Sequence, residues 1–335
     1  MKALFRQKEK IIVGLDIGTH AIKAVKLKVL KDGAVECCGF GLEPVGLDLE
    51  PALKKISQQL GCANVNISLS GPSVVVRYVN FPRMQQDELR QALKFEAQKH
   101  IPFSVNEVSL DAHILKDDLP DNKMLVLVAA AKKELIDQRL KLIRSAGLNA
   151  GLIDIDSLAM ANAFNFNYPG TENAEHNAAA LLNIGAQETN LDILDKMVLR
   201  LSRDIRIAGN DFTRKIMEIF NLDFRAAEEL KLKPDPEKAE KMTLATESVA
   251  SSLAAEVRGS FDYYESLSAA SVKKIFLCGG SSFLPGIREM LANVLDIPVE
   301  HWDPFAKLPV SADMDAAKLK SLSAQMAVAA GLALR

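Results

Sequence analysis

The sequence predicts an α/β protein built as two lobes that follow one plan. Segments with strand-like alternation and segments with helix-like stripes follow one another along 335 residues, a length sufficient for two buried cores. Leu15-Asp16-Ile17-Gly18 recurs half a chain later as Leu182-Asn183-Ile184-Gly185. Each copy ends an apolar strand and precedes an alternating one, so the order of elements repeats together with the motif.

Composition and charge exclude several classes of protein. Nearly half of the residues are apolar and a quarter are charged, which is typical of a soluble globular chain. The formal net charge of -2 argues against a dedicated nucleic-acid binder. No apolar run approaches the ~18 residues needed to span a bilayer, and MKALFRQKEK lacks the apolar core of a signal peptide. Cysteines and histidines show no ligand spacing, so we expect no metal site made of protein side chains alone.

The elements of the first half are predicted from periodicity and from their end signals. Alternating apolar residues bounded by turn residues predict strands. These are Lys10–Asp16, Ala21–Leu30, Ala34–Phe40, Val65–Ser70, Val74–Phe81, Val108–Leu115, Met124–Ala131 and Leu148–Ile155. Helical stripes that end at a glycine or before a proline predict helices. These are Pro51–Leu60, Asp87–Lys99 and Lys132–Ala146.

The second half begins after a polar, turn-rich segment, residues 165–177, which predicts a linker. The pattern of strand, tight turn and strand then returns, and an apolar strand at Lys274–Cys278 runs into a glycine-rich loop. Predicted helices are Asn210–Phe220, Arg225–Lys231, Thr243–Leu267, one that ends at Asn293, and Leu322–Leu334.

The two repeated turns have the chemistry of a phosphate site. Gly18 and Gly185 carry no Cβ, so backbone N–H groups there can approach an anion closely. Thr19 and His20 add donors to the first turn. Asp16 would repel a bare phosphate, and it is best explained as an anchor for Mg²⁺ through water. The alternative is an ordinary Asp-Gly hairpin. The second turn adds the polar side chains of Gln187, Glu188 and Thr189.

Two further segments are suited to a nucleoside. Gly279-Gly280-Ser281-Ser282 follows an apolar strand and precedes a helix, so a flat ring could lie against its backbone. The alternative for this segment alone is a flexible loop. Glu228 and Lys231 are three residues apart on a helix and share a face, which suits ribose hydroxyls and a base edge. Their alternative is a solvated charged face.

Together these segments resemble the actin-like ATPase superfamily, which includes FtsA. The phosphate-1 motif would be Asp16–Lys23, phosphate-2 Asn183–Asn190, and the adenosine motif Gly279–Ser282. The chain is similar to the PilM family of type IV pilus assembly proteins over essentially its whole length. The segments that carry this likeness are Asn80–Met84, Phe95–Phe103, Gly209–Thr213, Asn221–Asp223, Ala226–Lys231 and Ala330–Arg335.

The resemblance implies an α/β actin-like ATPase fold, with two duplicated lobes of mixed sheets flanked by helices around a cleft for ATP and Mg²⁺. It also implies an FtsA-like small inserted subdomain at 81–146. The first lobe would comprise 8–80 and 147–177, with helix 320–335 packed on it. The second would comprise 178–212 and 272–319, with a helical subdomain at 213–271. The implied nucleotide residues are Asp16, Gly18, Thr19, His20, Lys23, Asn183, Gly185, Ala186, Thr189, Gly209, Asn210, Glu228, Lys231, Gly279, Gly280, Ser281 and Ser282, with Asp16 and Asn183 facing Mg²⁺ through water.

The resemblance also implies a role and a partner. PilM-like proteins bind the cytoplasmic N-terminal tail of PilN, an inner-membrane protein, and link the inner-membrane platform to cytoplasmic motor components. The chain would then be cytoplasmic and reach the membrane only through its partners. The tail would dock between the first lobe and the insertion, near Arg83, Phe95, Ile101, Pro102 and Phe103. For Phe95 and Ile101 we favour the alternative, that they form the core of the insertion.

One departure from the superfamily pattern concerns hydrolysis. Asn183 stands where aspartate is usual, which removes a full charge beside Mg²⁺ and weakens the polarisation of an attacking water. We therefore expect ATP binding with slow or no hydrolysis. Two alternatives to an adaptor stay open: an FtsA-like filament former at the membrane, and a small-molecule kinase of the same superfamily. No segment clearly supplies the cleft carboxylate that a kinase needs as a base.

Overall fold

The computed structural model describes residues 10–169, 177–268 and 270–335. The strands of this part, in chain order, are β1 Lys10–Ile17, β2 Ala21–Val29, β3 Val35–Pro44, β4 Asn64–Leu69, β5 Val74–Pro82, β6 Val108–Leu119, β7 Lys123–Lys132, β8 Asn149–Ile155, β9 Asn177–Ile184, β10 Thr189–Asp195, β11 Val198–Ile205, β12 Ser271–Cys278 and β13 Val299–His301. The helices are α1 Glu50–Leu60, α2 Gln86–Ala97, α3 Lys133–Ser145, α4 Asp156–Asn167, α5 Gly209–Phe220, α6 Phe224–Leu232, α7 Ala239–Leu267, α8 Ile287–Leu295, α9 Ala316–Leu322 and α10 Ala327–Ala333.

Two five-stranded sheets share one topology. Their orders are β3-β2-β1-β4-β8 and β11-β10-β9-β12-β13. In each, the first three strands form antiparallel pairs and the last two add in parallel. Asp16 lies near the carboxyl end of central strand β1, and Asn183 lies near the carboxyl end of central strand β9. The repeated motif therefore marks the same place in both sheets, which is where open α/β sheets bind ligands.

A third sheet, in the order β5-β7-β6, forms the insertion with α2. Its own core includes Phe81, Leu89 and Met124. The predicted range 81–146 differs from this sheet at both ends. Strand β5 pairs with β7 from Val74 onward, whereas Ile143 near the end of α3 packs into the core of the first sheet. The other domain boundaries stay predictions, although Cys37 of β3 exchanges backbone hydrogen bonds with residues 309 and 311, which the sequence assigned to the second lobe.

Helix α4 lies between the two large sheets and was missed from the sequence. Phe164 on this helix packs against Phe276 of β12 at 4.8 Å and against Trp302 at 5.4 Å between ring centroids. Residues 165–167 of the predicted linker are the end of α4, and residues 170–176 of that linker lie outside the described part.

The last helix, α10, packs between α4 and β1. A Cβ on Gly331 would overlap the backbone of Ala159 in α4, and a Cβ on Gly14 of β1 would overlap the Ala329 carbonyl. Only small residues allow this approach. The helix predicted at Leu322–Leu334 is confirmed for Ala327–Ala333. Leu322 is the last residue of α9, and a 3₁₀ turn at Ser323–Met326 separates the two helices. Across the described ranges, none of the helices has the length and apolar character to cross a bilayer.

Candidate nucleotide site and the clefts beside it

The second-lobe wall of the central cleft consists of three turns that meet through their backbones. The Gly209 N–H donates to the Gly185 carbonyl at 3.0 Å, and the Asn210 N–H donates to the Ala186 carbonyl at 2.8 Å. The Ser281 hydroxyl donates to the same Gly185 carbonyl at 3.0 Å. The turn after β9, the start of α5 and the loop after β12 therefore converge, and five of the residues assigned to a nucleotide lie together.

Glycine is required where these turns touch. Gly279 has a φ of +89°, and a Cβ there would lie 2.5 Å from both Asn183 Oδ1 and the Ile184 carbonyl oxygen. A Cβ on Gly209 would lie 3.0 Å from the Gly185 carbonyl oxygen. These glycines therefore allow the three turns to pack directly against one another.

Two predicted site residues face inward instead. The Thr189 side chain is buried and donates its hydroxyl to the Ile207 carbonyl at 2.7 Å. Ser282 is also buried and donates to the Gly279 carbonyl at 2.7 Å. Their side chains hold the turns together, whereas Gly280 is exposed and Ser281 is half-buried at the surface of the wall.

Glu228 and Lys231 of α6 form a pair beneath this wall. The Lys231 ammonium lies 2.6 Å from Glu228 Oε2 and donates to Thr213 Oγ1 at 2.7 Å and to the Gly209 carbonyl at 3.2 Å. Burial lowers the pKa of Lys231, and Glu228 partly opposes this. A solvated charged face does not describe a lysine that is 6 % exposed. The pair instead ties α6 to the start of α5, next to the turns described above.

The first-lobe wall carries a carboxylate paired with an ammonium. Lys23 Nζ lies 3.0 Å from Asp16 Oδ2 across the β1–β2 hairpin, and both side chains are largely buried. A Cβ on Gly18 would lie 2.9 Å from Lys23 Nζ and from the Ala21 carbonyl oxygen. The turn residues Thr19 and His20 are exposed.

Asp156 and Arg139 complete this wall, and neither was predicted from the sequence. Desolvation, followed by repulsion from Asp16, raises the pKa of the half-buried Asp156 carboxyl to about 6, although hydroxyls of Ser68 and Ser70 oppose the shift. Desolvation lowers the pKa of Arg139, and the charges of Asp156 and Asp16 oppose that shift. Asp16 thus interacts with Lys23, Asp156 and Arg139. Mg²⁺ in proteins is commonly bound by one or two carboxylates together with substrate phosphates.

Only one of these two residues had a signal in the sequence. Asp156 directly follows the apolar strand β8 and opens α4, so it occupies a strand end as Asp16 does. Arg139 is an ordinary position of α3, and its role depends on how that helix packs.

A chain of polar side chains crosses from the second lobe to the first. Asn183 Nδ2 donates to Asn190 Oδ1 at 3.1 Å, and Asn190 Nδ2 donates to Asp204 Oδ1 at 2.7 Å. The Gly71 N–H donates to Asp204 Oδ2 at 3.2 Å. Gly71 lies in the turn between β4 and β5, so the phosphate-2 motif is linked to the base of the insertion. We name Asn183, Asn190, Asp204 and Gly71 the cleft bridge.

A protein-family comparison decides the classification. The family model described as "Type IV pilus assembly protein PilM" matches residues 14–335. The chain belongs to this family. Its fold is the actin-like ATPase fold that the sequence predicted, with the duplicated sheets described above.

Relatives and solved structures agree with the PilM family. A cell division protein FtsA from Pseudomonas aeruginosa is 24% identical over 370 residues, covering 90% of this chain and 84% of that protein. FtsA from Buchnera aphidicola is 23% identical over 264 residues, and the match spans only 61% of its length. A solved PilM–PilN type IV pilus biogenesis complex is similar with a TM-score of 0.84 and 27% identity, over 97% of this chain and 98% of that chain.

The residues predicted for the tail groove differ in how far they are exposed. Ile101 is buried in the core of the insertion, as its alternative predicted, whereas Phe95 is 78 % exposed, so its alternative was wrong. Phe103 is half-buried beneath Lys132, whose Nζ lies 5.1 Å from the ring centroid. Exposed Arg83 lines a separate cleft and lies 3.6 Å from Asp117, and Pro102 is exposed.

The cavity that meets the expectation of a groove between first lobe and insertion lies elsewhere. It has a volume of about 250 Å³ and lies between the turn 70–72, strand β5 and the start of α4. Asn190 and Asp204 of the second lobe close its far side. We name this cavity the bridge cleft, because the cleft bridge forms part of its wall.

Proposed function

We propose that this PilM-family chain is a cytoplasmic adaptor of type IV pilus assembly that binds ATP and the N-terminal tail of a PilN-like inner-membrane protein. The observation that carries the proposal is the similarity to the PilM–PilN complex over nearly the whole chain. Through that tail the adaptor is peripheral to the inner membrane, and it connects the platform to cytoplasmic motor components.

The residues present fit ATP and Mg²⁺. Gly185, Gly209 and Gly279 allow the three turns to lie close together, because a Cβ at each would collide with atoms of these turns, and glycine-rich turns of this kind suit phosphates and a flat base. Asp16 and Asn183, at equivalent strand ends, would hold a hydrated Mg²⁺, and Asp156 would add a second carboxylate. When bound, the metal supplies positive charge that offsets the phosphates. Lys23 and Arg139 would contact the anion from the first lobe.

We expect slow hydrolysis because Asn183 is neutral and already engaged. Its amide nitrogen donates to Asn190 Oδ1, and its neutral oxygen polarises a bound water less than a carboxylate would. The sequence showed no clear source of the cleft carboxylate that a kinase needs as a base, and Asp156 is a carboxylate of this kind. With a pKa of about 6, Asp156 is mostly ionised at pH 7. A turnover well below about 1 s⁻¹, the lower end of ordinary enzymes, separates adaptor from kinase.

The bridge cleft is the site that we assign to the tail. Because the cleft bridge joins the phosphate-2 motif to the wall of this cavity, closing the lobes around ATP would fix that wall. ATP can then raise the affinity for the tail only if the tail binds the closed state more tightly than the open state. The reciprocal effect must be equal, so the tail would tighten ATP by the same factor.

Calorimetric titration with a PilN-type N-terminal peptide, with and without Mg²⁺-ATP, tests the proposal. Saturable binding that tightens with ATP supports the coupled adaptor. If the peptide binds with the same affinity in both conditions, the adaptor role stands and the nucleotide has only a structural role. If the peptide binds in neither condition, the adaptor is wrong, and electron microscopy with ATP then tests for filaments.

A further inference from the structure

A second, larger groove lies between the insertion and the second lobe. Its volume is about 760 Å³, within the range of ligand-binding pockets. Strand β5 forms one side, strand β11 the other, and the end of α7 forms the floor with Tyr263, Tyr264 and Leu267. We name it the edge groove. It shares only Val76, Arg77, Ser202 and Arg203 with the bridge cleft.

Both sides of the edge groove are free edges of sheets. Strand β5 is the outer strand of the third sheet, and β11 is the outer strand of the second-lobe sheet. An outer strand has backbone groups that another extended chain can pair with, and proteins usually cover or interrupt such edges. Nothing in the described ranges pairs with β5 on its groove side.

A β-bulge places a guanidinium in this groove. The pairing of β10 with β11 steps from Ile193↔Leu201 to Leu194↔Leu199, which leaves Arg200 as the extra residue. A bulge re-aims the side chain that it carries. Arg200 is half-buried and lines the groove, and the described residues offer it no carboxylate within ion-pair distance.

The polar groups around Arg200 are also incompletely used. Arg77 on β5 donates to the Val76 carbonyl and has no acidic partner among the described residues. The buried hydroxyl of Tyr78 has no hydrogen-bond partner in the described structure, whereas the Tyr264 hydroxyl is within reach of Ser268 and Asp195. Arg203 is neutralised by Glu256 at 2.5 Å, so two unpaired guanidiniums face the single carboxylate of Asp195. Since buried polar groups are normally satisfied, these observations indicate a ligand that brings carboxylates.

We propose that the edge groove binds an extended, acidic segment of a partner protein, added as a strand to the free edge of β5. Alternate side chains of a strand point to opposite faces. Carboxylates on one face would meet Arg77 and Arg200, and apolar or aromatic side chains on the other would cover Tyr263 and Leu267, which are 58 % and 69 % exposed. The site is additional to the tail cleft, since Arg200, Tyr263 and Leu267 line the edge groove and not the bridge cleft.

Fluorescence anisotropy with two labelled heptapeptides tests the charge requirement. One peptide alternates valine or tyrosine with glutamate, and the other carries lysine in place of glutamate. The glutamate peptide should bind at least about tenfold more tightly, and more weakly as salt rises, because exposed ion pairs are screened. Equal binding of the two peptides, or no binding of either, overturns the proposal.

Variants and hydrogen exchange locate the site. Arg200→Ala and Arg77→Ala should each weaken the glutamate peptide by about tenfold, while Arg200→Lys retains most of the affinity. Arg144→Ala is the matched control, because Arg144 is exposed on α3. The bound peptide should slow amide exchange along β5. The proposal fails if the two groove variants bind the peptide as tightly as the control does, or if amide exchange slows elsewhere than along β5. It also fails if inorganic pyrophosphate displaces the peptide without slowing exchange along β5, because the groove would then be a small-anion site.

Discussion

Asp192 predicts a pH dependence of stability that one substitution should remove. Its side chain is fully buried on β10, and neither oxygen has a hydrogen bond of normal geometry in the described structure. Desolvation raises its pKa from 3.8 to about 8, the Ser202 hydroxyl opposes the shift, and the charges of Asp204 and Asp156 add to it. The folded protein therefore keeps a proton on Asp192 at neutral pH, and the unfolded chain does not.

The sign and the size of the effect follow from linkage. Because the folded state binds the extra proton, the free energy of unfolding falls as pH rises from about 4 to about 8. Each pH unit in that window corresponds to about 1.4 kcal/mol, so Asp192 should lower stability by about 2.5 kcal/mol between pH 5 and pH 7. Asp192→Asn keeps the shape of the protonated side chain and cannot ionise. The variant should therefore gain about 2.5 kcal/mol over the wild type across the same interval.

Urea unfolding at pH 5, 6 and 7 measures this difference. The midpoint and slope give the free energy of unfolding for each protein, and the other titrating groups cancel between variant and wild type. Asp262→Asn on the exposed face of α7 is the control, and it should follow the wild type at every pH. Parallel curves for Asp192→Asn and wild type would refute the reasoning, because Asp192 would then ionise alike in both states.

Three further predictions concern the central cleft. Asn183→Asp should raise Mg²⁺ affinity in calorimetric titrations and speed hydrolysis, since it restores a charge beside the metal; unchanged affinity would mean that Asn183 is remote from the ion. Asp204→Ala should bring the ratio of tail-peptide affinities with and without ATP close to one, because it cuts the cleft bridge, although the affinity itself can also fall since Asp204 lines the bridge cleft; a preserved ratio would show that the bridge carries no coupling. Gly279→Ala should abolish ATP binding and lower the free energy of unfolding by about 1–3 kcal/mol, because its Cβ would meet the Ile184 carbonyl at a positive φ, and a variant that binds ATP like the wild type would contradict this.

The fold was predictable because its signals are local and occur twice. The four-residue motif recurs at the same place in two sheets of one topology, so a short likeness was sufficient to indicate a duplication. Helix α4 was missed for a physical reason. Because α4 lies between both sheets, it has buried residues on all of its faces, and no apolar stripe marks a single face.

The convergence of the predicted turns follows from their backbones, whereas the packing of their polar side chains could not be predicted from the sequence. A glycine at a tight turn indicates a backbone conformation or a close approach that a side chain would prevent. The turns that contain Gly185, Gly209 and Gly279 do meet in the structure. Thr189 and Ser282 have polar side chains suited to a ligand, yet the fold uses both internally. Whether the nucleotide contacts these turns as expected stays a prediction.

The packing of α10 against β1 determines when the first lobe can complete its folding. Strand β1 is synthesised about 310 residues before α10, yet its Gly14 packs against that helix. At a translation rate of about 5–20 residues per second, β1 waits for tens of seconds before this partner leaves the ribosome. During that time the apolar surface that α10 will cover remains open to chaperones. Nascent chains stalled before residue 327 should therefore stay bound to them, whereas the insertion, whose strands are close in sequence, can fold earlier.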